Sequence, residues 1–263
     1  MIHHPKKSMG QNFLKSKTIL NLMCQSACLK KDDTVLEIGP GKGSLTEKIL
    51  EREVKMIAVE KDDELFVFLK EKFDKEIKNG QLTLEHQDIL DFRIDLIKNN
   101  YKVIANIPYY ITGLIIKKFL SEKKQPETMV LLVQKEVADR IVAKGGKESI
   151  LSLSVKAYGE VKYIKKVSKK LFSPSPKVDS AIISISNISK SNFPKKEIEN
   201  SFFDVIRAGF LHKRKLLIRN LEHIAPKEEL QKAFSDLKID SNVRPEDVSL
   251  EKWLLLSKKL FKY

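Results

Sequence analysis

Thr34-Val35-Leu36-Glu37-Ile38-Gly39-Pro40-Gly41-Lys42-Gly43-Ser44-Leu45 is the stretch that decides the fold. Thr34 to Ile38 reads as a strand and Leu45 to Glu53 as a helix, with a glycine-rich turn between them. A strand running through glycine into a helix opens an α/β unit. Glycine carries no Cβ, so a ligand can come close to the backbone of such a turn. The spacing is Gly-x-Gly-x-Gly, not the Gly-x-Gly-x-x-Gly of dinucleotide-binding folds. It therefore points to a cofactor without a pyrophosphate.

The same alternation continues outward on the carboxyl side. Lys55 to Val59 reads as a second strand, Glu64 to Phe73 as a helix, and Gln81 to His86 as a strand of period two. Val103 to Ala105 follows as a strand, with an apolar helix at Ile111 to Leu120. Met129 to Val133 is continuously apolar, as a strand covered on both faces should be. Lys135 to Arg140 changes the signal, and Val161 to Val167 and Ala181 to Ser186 read as two later strands around a proline-containing loop. Upstream, Thr18 to Leu29 reads as a helix. The stretch from Ser184 to Lys196 reads as a linker, beyond which helices are expected at Glu197 to Phe210, Lys213 to Leu221, Lys227 to Leu237 and Leu250 to Leu260.

Composition bounds the partners. Lys plus Arg number 49 against 35 Asp plus Glu, a formal net charge of +14. Such a surplus favours polyanions, nucleic acid first and an anionic membrane surface second, unless it reflects a Lys-rich or thermophilic background. The basic start Met1 to Lys7 leads into no apolar h-region, and no run is long enough to span a bilayer. A cytoplasmic protein with no membrane partner is the expectation. Cys24 and Cys28 make neither a disulfide framework nor a zinc site and read as buried small apolar residues. The five histidines have no metal-ligand spacing, so no metal is expected.

Carboxylates and an amide fall where the strands end. Glu60 closes the second strand, where a carboxylate can accept both hydroxyls of a ribose. Asp88 follows the third and could accept an adenine amino group or simply cap a turn. Asn106-Ile107-Pro108-Tyr109 follows the fourth. An Asn oxygen and a neighbouring backbone carbonyl can hold an exocyclic amino group, while a Tyr ring stacks on the base. On its own Asn-x-Pro-Tyr is also an ordinary turn.

Glycine turn, Glu, Asp and Asn-x-Pro-Tyr in strand order resemble the S-adenosylmethionine-dependent methyltransferases that act on an amino nitrogen of a base. Further segments narrow this. Ser8-Met9-Gly10-Gln11-Asn12-Phe13-Leu14 resembles the opening segment of the ribosomal RNA adenine dimethyltransferases, and Phe172-Ser173-Pro174-Ser175-Pro176-Lys177-Val178 resembles their Phe-x-Pro-x-Pro-x-Val loop. Gln134 to Ala138, Phe210 to Lys215 and Arg244 to Leu250 are similar as well, so the resemblance runs from Lys7 to about Lys259.

The resemblance implies an α/β fold, a mostly parallel Rossmann-like methyltransferase sheet with a small all-α C-terminal domain. Residues 1–188 would be the catalytic S-adenosylmethionine-binding domain and 189–263 a helical RNA-binding domain. S-adenosyl-L-methionine would lie against Gln11, Asn12, Leu14, Gly39, Gly41, Glu60, Asp88 and Asn106, with Asn12 and Leu14 at the methionine and sulfonium end. The target base would meet Asn106, Pro108 and Tyr109, with Phe172 as a second stacking ring. Lys213, Arg214, Lys215 and Arg219, on or near one helix, would bind RNA phosphates.

Two branches of the family share these motifs, one acting on two adjacent adenosines near the 3′ end of small-subunit rRNA, the other on a large-subunit adenosine. The segments Phe210 to Lys215 and Arg244 to Glu246 are more similar to the small-subunit branch. The expected partner is thus small-subunit rRNA or a 30S pre-ribosomal particle, met by a monomer. Lys213 departs from the usual Arg, keeping charge and losing the bidentate fork. Tyr110 stands where Asn is common. A non-catalytic assembly factor on the same fold, or a methyltransferase of DNA adenine or a glutamine amide, remains an alternative. The latter leaves the Phe172 loop and the helical C-terminal part without a purpose.

Overall fold

A computed structural model describes residues 11–261 of the chain. Met1 to Gly10, which hold the basic start and the first three residues of the opening segment, lie outside the described residues. The first part contains β1 (Phe13–Leu14), α1 (Lys17–Ser26), β2 (Thr34–Ile38), α2 (Ser44–Leu50), β3 (Lys55–Glu60), α3 (Asp63–Lys72), α4 (Asp74–Lys78) and β4 (Leu82–His86). Next come β5 (Tyr101–Asn106), α5 (Thr112–Ser121), β6 (Thr128–Gln134), α6 (Lys135–Ile141), α7 (Ile150–Lys156), β7 (Glu160–Val167), β8 (Phe172–Ser173) and β9 (Ser180–Ser186). The last elements are α8 (Lys196–Gly209), α9 (Leu217–Leu221), α10 (Lys227–Asp236) and α11 (Leu250–Phe261).

The main sheet has seven strands in the order β4-β3-β2-β5-β6-β9-β7. Strands β4, β3, β2, β5 and β6 are mutually parallel, and β9 runs antiparallel to both β6 and β7. Every residue of β2 is buried, as are the five central residues of β6, which is why neither strand alternates in polarity. On one face Val35, Met56, Ala58, Ile104, Val130 and Ile182 pack with Ile19 and Met23 of α1 and Leu45 and Ile49 of α2. Each of the larger of these side chains, Ala58 aside, contributes about 1.5–3 kcal/mol when taken out of water. Local chemistry sets the helix starts: Asp62 accepts from the amides of Glu64 and Leu65 at 3.0 and 3.1 Å, capping α3.

The described residues divide into two compact units, one of residues 11–138 with 160–188, the other of residues 139–159 with 189–261. The sequence expectation kept 139–159 in the first domain. The structure moves it to the helical unit through specific bonds: the Glu148 amide donates to the Glu246 carbonyl at 2.8 Å, and Tyr158 hydrogen-bonds the buried Glu199 carboxylate. Several other expectations shift. α9 begins at Leu217, so Lys213, Arg214 and Lys215 lie in the turn before it and not on a helix. Cys24 is buried, its thiol pKa pushed up to about 11 by burial, whereas Cys28 is exposed in a left-handed conformation. α4, α7 and the β1–β8 pair were not anticipated.

Candidate active site

The strand order reverses between β2 and β5, and open α/β sheets bind ligands outside the carboxyl ends at such a point. Register makes this concrete. Ile38 pairs with Ala105 on one side and Val59 on the other, so Gly39, Asn106 and Glu60 leave three adjacent strands at one level. There a cavity of about 530 Å³ opens, lined by Gln11, Asn12, Leu14, Gly39, Gly41, Glu60, Asp88, Asn106, Pro108 and Tyr109. All but one of the residues expected to meet cofactor or base are thus brought together.

The exception is Phe172. Its ring is 4% exposed and belongs to the core cluster, not to the cavity wall. β8 pairs antiparallel with β1, Phe172 opposite Leu14, and the Lys15 amide donates to the Leu171 carbonyl at 2.9 Å. Phe172 therefore anchors the opening segment over the site instead of flanking a base. To stack on one it would first have to leave an apolar core.

Gly39 and Gly43 both have left-handed backbones, φ +63° and +75°, for different reasons. A Cβ on Gly39 would meet no atom within 4 Å, so the turn there faces open space. A Cβ on Gly43 would come within 2.5 Å of the Phe73 ring. Glu60 organises the turn from the neighbouring strand: Oε2 accepts from the Gly41 amide at 3.1 Å, and Oε1 accepts from the Lys61 and Asp62 amides at 2.9 Å each. Burial nevertheless raises its pKa, against the pull of those three amides.

Asp88 combines both roles read from the sequence. Oδ1 accepts from the Leu90 amide at 2.9 Å as a turn cap, and Oδ2 takes the Lys61 ammonium at 2.7 Å. Partial burial works against its charge, yet these two bonds hold the carboxyl below its ordinary range. Gln11 donates to Asp62 at 3.2 Å, tying the opening segment to the start of α3.

Asn106 is oriented by its amide nitrogen, which donates to the Asn12 carbonyl at 3.1 Å. That leaves its side-chain oxygen as an acceptor at the cavity. The Pro108 carbonyl already accepts from the Ile111 amide at 3.2 Å, so the Ile107 carbonyl is the better second acceptor. The Tyr109 hydroxyl bonds Ser180 Oγ at 2.8 Å, which pins the ring at the cavity mouth; burial raises its pKa. Tyr110 is 66% exposed at the same mouth.

Phe13, Glu37 and Lys61 are among the lining residues that the sequence reading passed over. Glu37 left a signal, a lone carboxylate within an apolar strand. It accepts from the Thr46 hydroxyl at 2.6 Å, and burial, reinforced by Glu60, pushes its pKa up to about 8.

In the helical unit Lys213, Arg214 and Lys215 are all exposed. Their turn is held from below by Asn220, whose amide donates to the carbonyls of Gly209 at 2.6 Å and His212 at 3.1 Å. Arg219 is exposed but ion-paired with Glu222 at 2.8 Å. Among the described residues no helix is long and apolar enough to cross a membrane, and no group of three or more His, Cys, Asp or Glu is placed to hold a metal.

The family described as Ribosomal RNA adenine dimethylase matches residues 2–262. The chain belongs to this family. A Fusobacterium nucleatum protein named Ribosomal RNA small subunit methyltransferase A is 39% identical over 259 residues, covering 96% of each chain. A solved dimethyladenosine transferase from Plasmodium falciparum superposes with TM-score 0.81 at 28% identity, covering 93% of this chain and 95% of that one. The 23S rRNA methyltransferase ErmE superposes with TM-score 0.78 at 24% identity over 94% of this chain and 99% of its own, a likeness of fold. The protein is accordingly an rRNA adenine methyltransferase, and its methyl donor is S-adenosylmethionine. The cavity fits that donor: open space over Gly39 admits it to the turn, and Glu60, Asp88 and Asn106 bring acceptors to its rim.

Proposed function

We propose that the protein dimethylates the N6 amino groups of two adjacent adenosines near the 3′ end of small-subunit (16S) rRNA. It would act as a cytoplasmic monomer on a 30S pre-ribosomal particle and so take part in small-subunit biogenesis. The small-subunit names of relatives such as the Fusobacterium protein support the choice of subunit. The observation that carries the chemistry is the orientation of Asn106, whose nitrogen is committed to the Asn12 carbonyl.

Bound S-adenosylmethionine supplies a methyl already activated on a sulfonium. The protein's task is then to position the amine and keep water out. Gly39, Gly41, Glu60 and Asp88 would hold the nucleoside part of the cofactor, and Gln11, Asn12, Leu14 and Asn106 its reactive end. An adenine N6 is a weak nucleophile because its lone pair is delocalised into the ring. The Asn106 side-chain oxygen and the Ile107 carbonyl accept its two N–H groups and draw it towards a pyramidal geometry. Pro108 fixes the backbone just after the Ile107 carbonyl, and Tyr109 holds the base by stacking, worth about 1–3 kcal/mol. No general base is required, since the proton can leave to water afterwards. Lys213, Arg214 and Lys215 contribute phosphate contacts. Arg219, paired with Glu222, contributes less.

The test is transfer of labelled methyl to undermethylated small subunits and, separately, to large subunits, with digestion of the products. N6,N6-dimethyladenosine from small subunits alone is the expected result. Label in large subunits would move the protein to the other branch of the family, and tight ribosome binding without label would favour an assembly factor. Asn106→Ala should abolish transfer with cofactor affinity nearly intact; wild-type turnover in that variant would remove Asn106 from the mechanism.

A further inference from the structure

β7 is the edge strand of the sheet, beside β9. Because it is antiparallel to β9, which is antiparallel to β6, its carboxyl end lies at the same end of the sheet as Asn106. The segment from β7 to the loop beyond it carries Lys162, Lys165, Lys166, Lys169, Lys170 and Lys177, all exposed. A β-bulge between Tyr163 and Lys165 resets the alternation. Lys162 then pairs with Ser184 and Lys165 with Ile182, so two lysines three apart in sequence share one face. Two positions along β9 separate them by about 7 Å, comparable to the phosphate repeat of an extended strand.

The neighbouring carboxylates do not neutralise this row. Asp179 takes Lys166 at 2.9 Å and also accepts the Lys169 amide, and the Lys169 ammonium reaches the Lys177 carbonyl at 3.3 Å. Glu160, at the far end of the strand, accepts from Asn187 at 2.9 Å. Lys162, Lys165 and Lys170 are left without a carboxylate partner among the described residues. The row also ends beside the site: Val167 pairs with Ser180, whose hydroxyl bonds Tyr109 at 2.8 Å.

Lysines on an edge strand commonly serve to prevent sheet-to-sheet pairing. That purpose does not extend to Lys169 and Lys170, which sit in a helical turn past the strand. We infer that Lys162, Lys165 and Lys170 form a phosphate track on the catalytic unit, holding the RNA backbone that leads to the target adenosine at Tyr109. This rests on the reading of rRNA as substrate. It adds a contact surface separate from the Lys213–Lys215 turn, and one that fixes the direction from which the strand enters.

The test compares Lys162→Gln/Lys165→Gln/Lys170→Gln and the corresponding triple Arg variant with wild type, measuring methylation of undermethylated small subunits against particle and salt concentration. Three lost phosphate contacts should flatten the log–log salt dependence of particle affinity by about 2, at roughly 0.7 per single-strand contact. KM for the particle should rise at least tenfold at low salt, with the loss in KM and not in kcat. Cofactor affinity should not change, and the Arg variant should restore the wild-type slope. A Gln variant with unchanged KM and slope overturns the track; so does one that only aggregates more, which would leave edge protection as the lysines' purpose. Failure of wild type to methylate small subunits would instead sink the substrate assignment, so the two failures are distinguishable.

Discussion

Gly39→Ala and Gly43→Ala place the same methyl on the same turn, yet they should fail in different ways. Both residues are left-handed, at φ +63° and +75°, where an alanine costs about 1–2 kcal/mol. At Gly39 nothing else is added, since the new Cβ meets no protein atom within 4 Å. Its methyl instead projects towards the space the cofactor needs. At Gly43 the Cβ would approach Phe73 to 2.5 Å and Leu69 to 3.1 Å, both inside the packed α3 side of the core. Overpacking of that kind adds about 1–3 kcal/mol, for a total of about 2–5 kcal/mol. Denaturant unfolding and calorimetric titration with S-adenosylmethionine separate the two. Gly39→Ala should lose only the about 1–2 kcal/mol of backbone strain and lose cofactor affinity at least tenfold. Gly43→Ala should be clearly the less stable of the two but bind cofactor with near wild-type affinity wherever it is folded. Wild-type cofactor affinity in Gly39→Ala would refute the placement of the ligand over that turn, and equal stability of the two variants would refute the packing argument.

Two further predictions follow from buried polar groups. Glu37 keeps its proton to about pH 8 in the folded protein, against 4.5 when exposed, so the unfolded chain loses it first as pH rises. Stability should therefore fall between those two values and level off above the higher, by at most about 5 kcal/mol. Glu37→Gln should flatten that slope in unfolding measured from pH 5 to 8.5, and an unchanged slope would mean the carboxyl is already ionised in the fold. Asn220→Ala strips two carbonyls of their donor beneath the Lys213–Lys215 turn and should cost about 2–4 kcal/mol. It should also weaken RNA binding, while a stability loss below about 1 kcal/mol would show the turn holds itself.

Much of the catalytic unit was legible because its signals are local. The β2 boundaries, Thr34 to Ile38, agree residue for residue with the strand read from polarity alone, and β3, β5 and β6 agree to within two residues at either end. Strand-end residues could be named because parallel strands all present their carboxyl ends to one side. The turn at Lys213–Lys215 was misread as helical because three charged residues carry no periodicity of their own; it is set by Asn220, eight residues from the His212 carbonyl it binds.

What the sequence by itself determined is the order of strands and helices, the glycine turn, and the identity of the groups at the strand ends. Those depend on side-chain periodicity and on residue types with narrow backbone preferences. Tertiary structure alone decided which groups face one another. It brought Asn12 to Asn106 across 94 positions, buried Phe172 against Leu14 instead of leaving it at the base, and moved residues 139–159 into the helical unit. Such pairings follow from which surfaces exclude water together, and no local stretch of sequence carries that information.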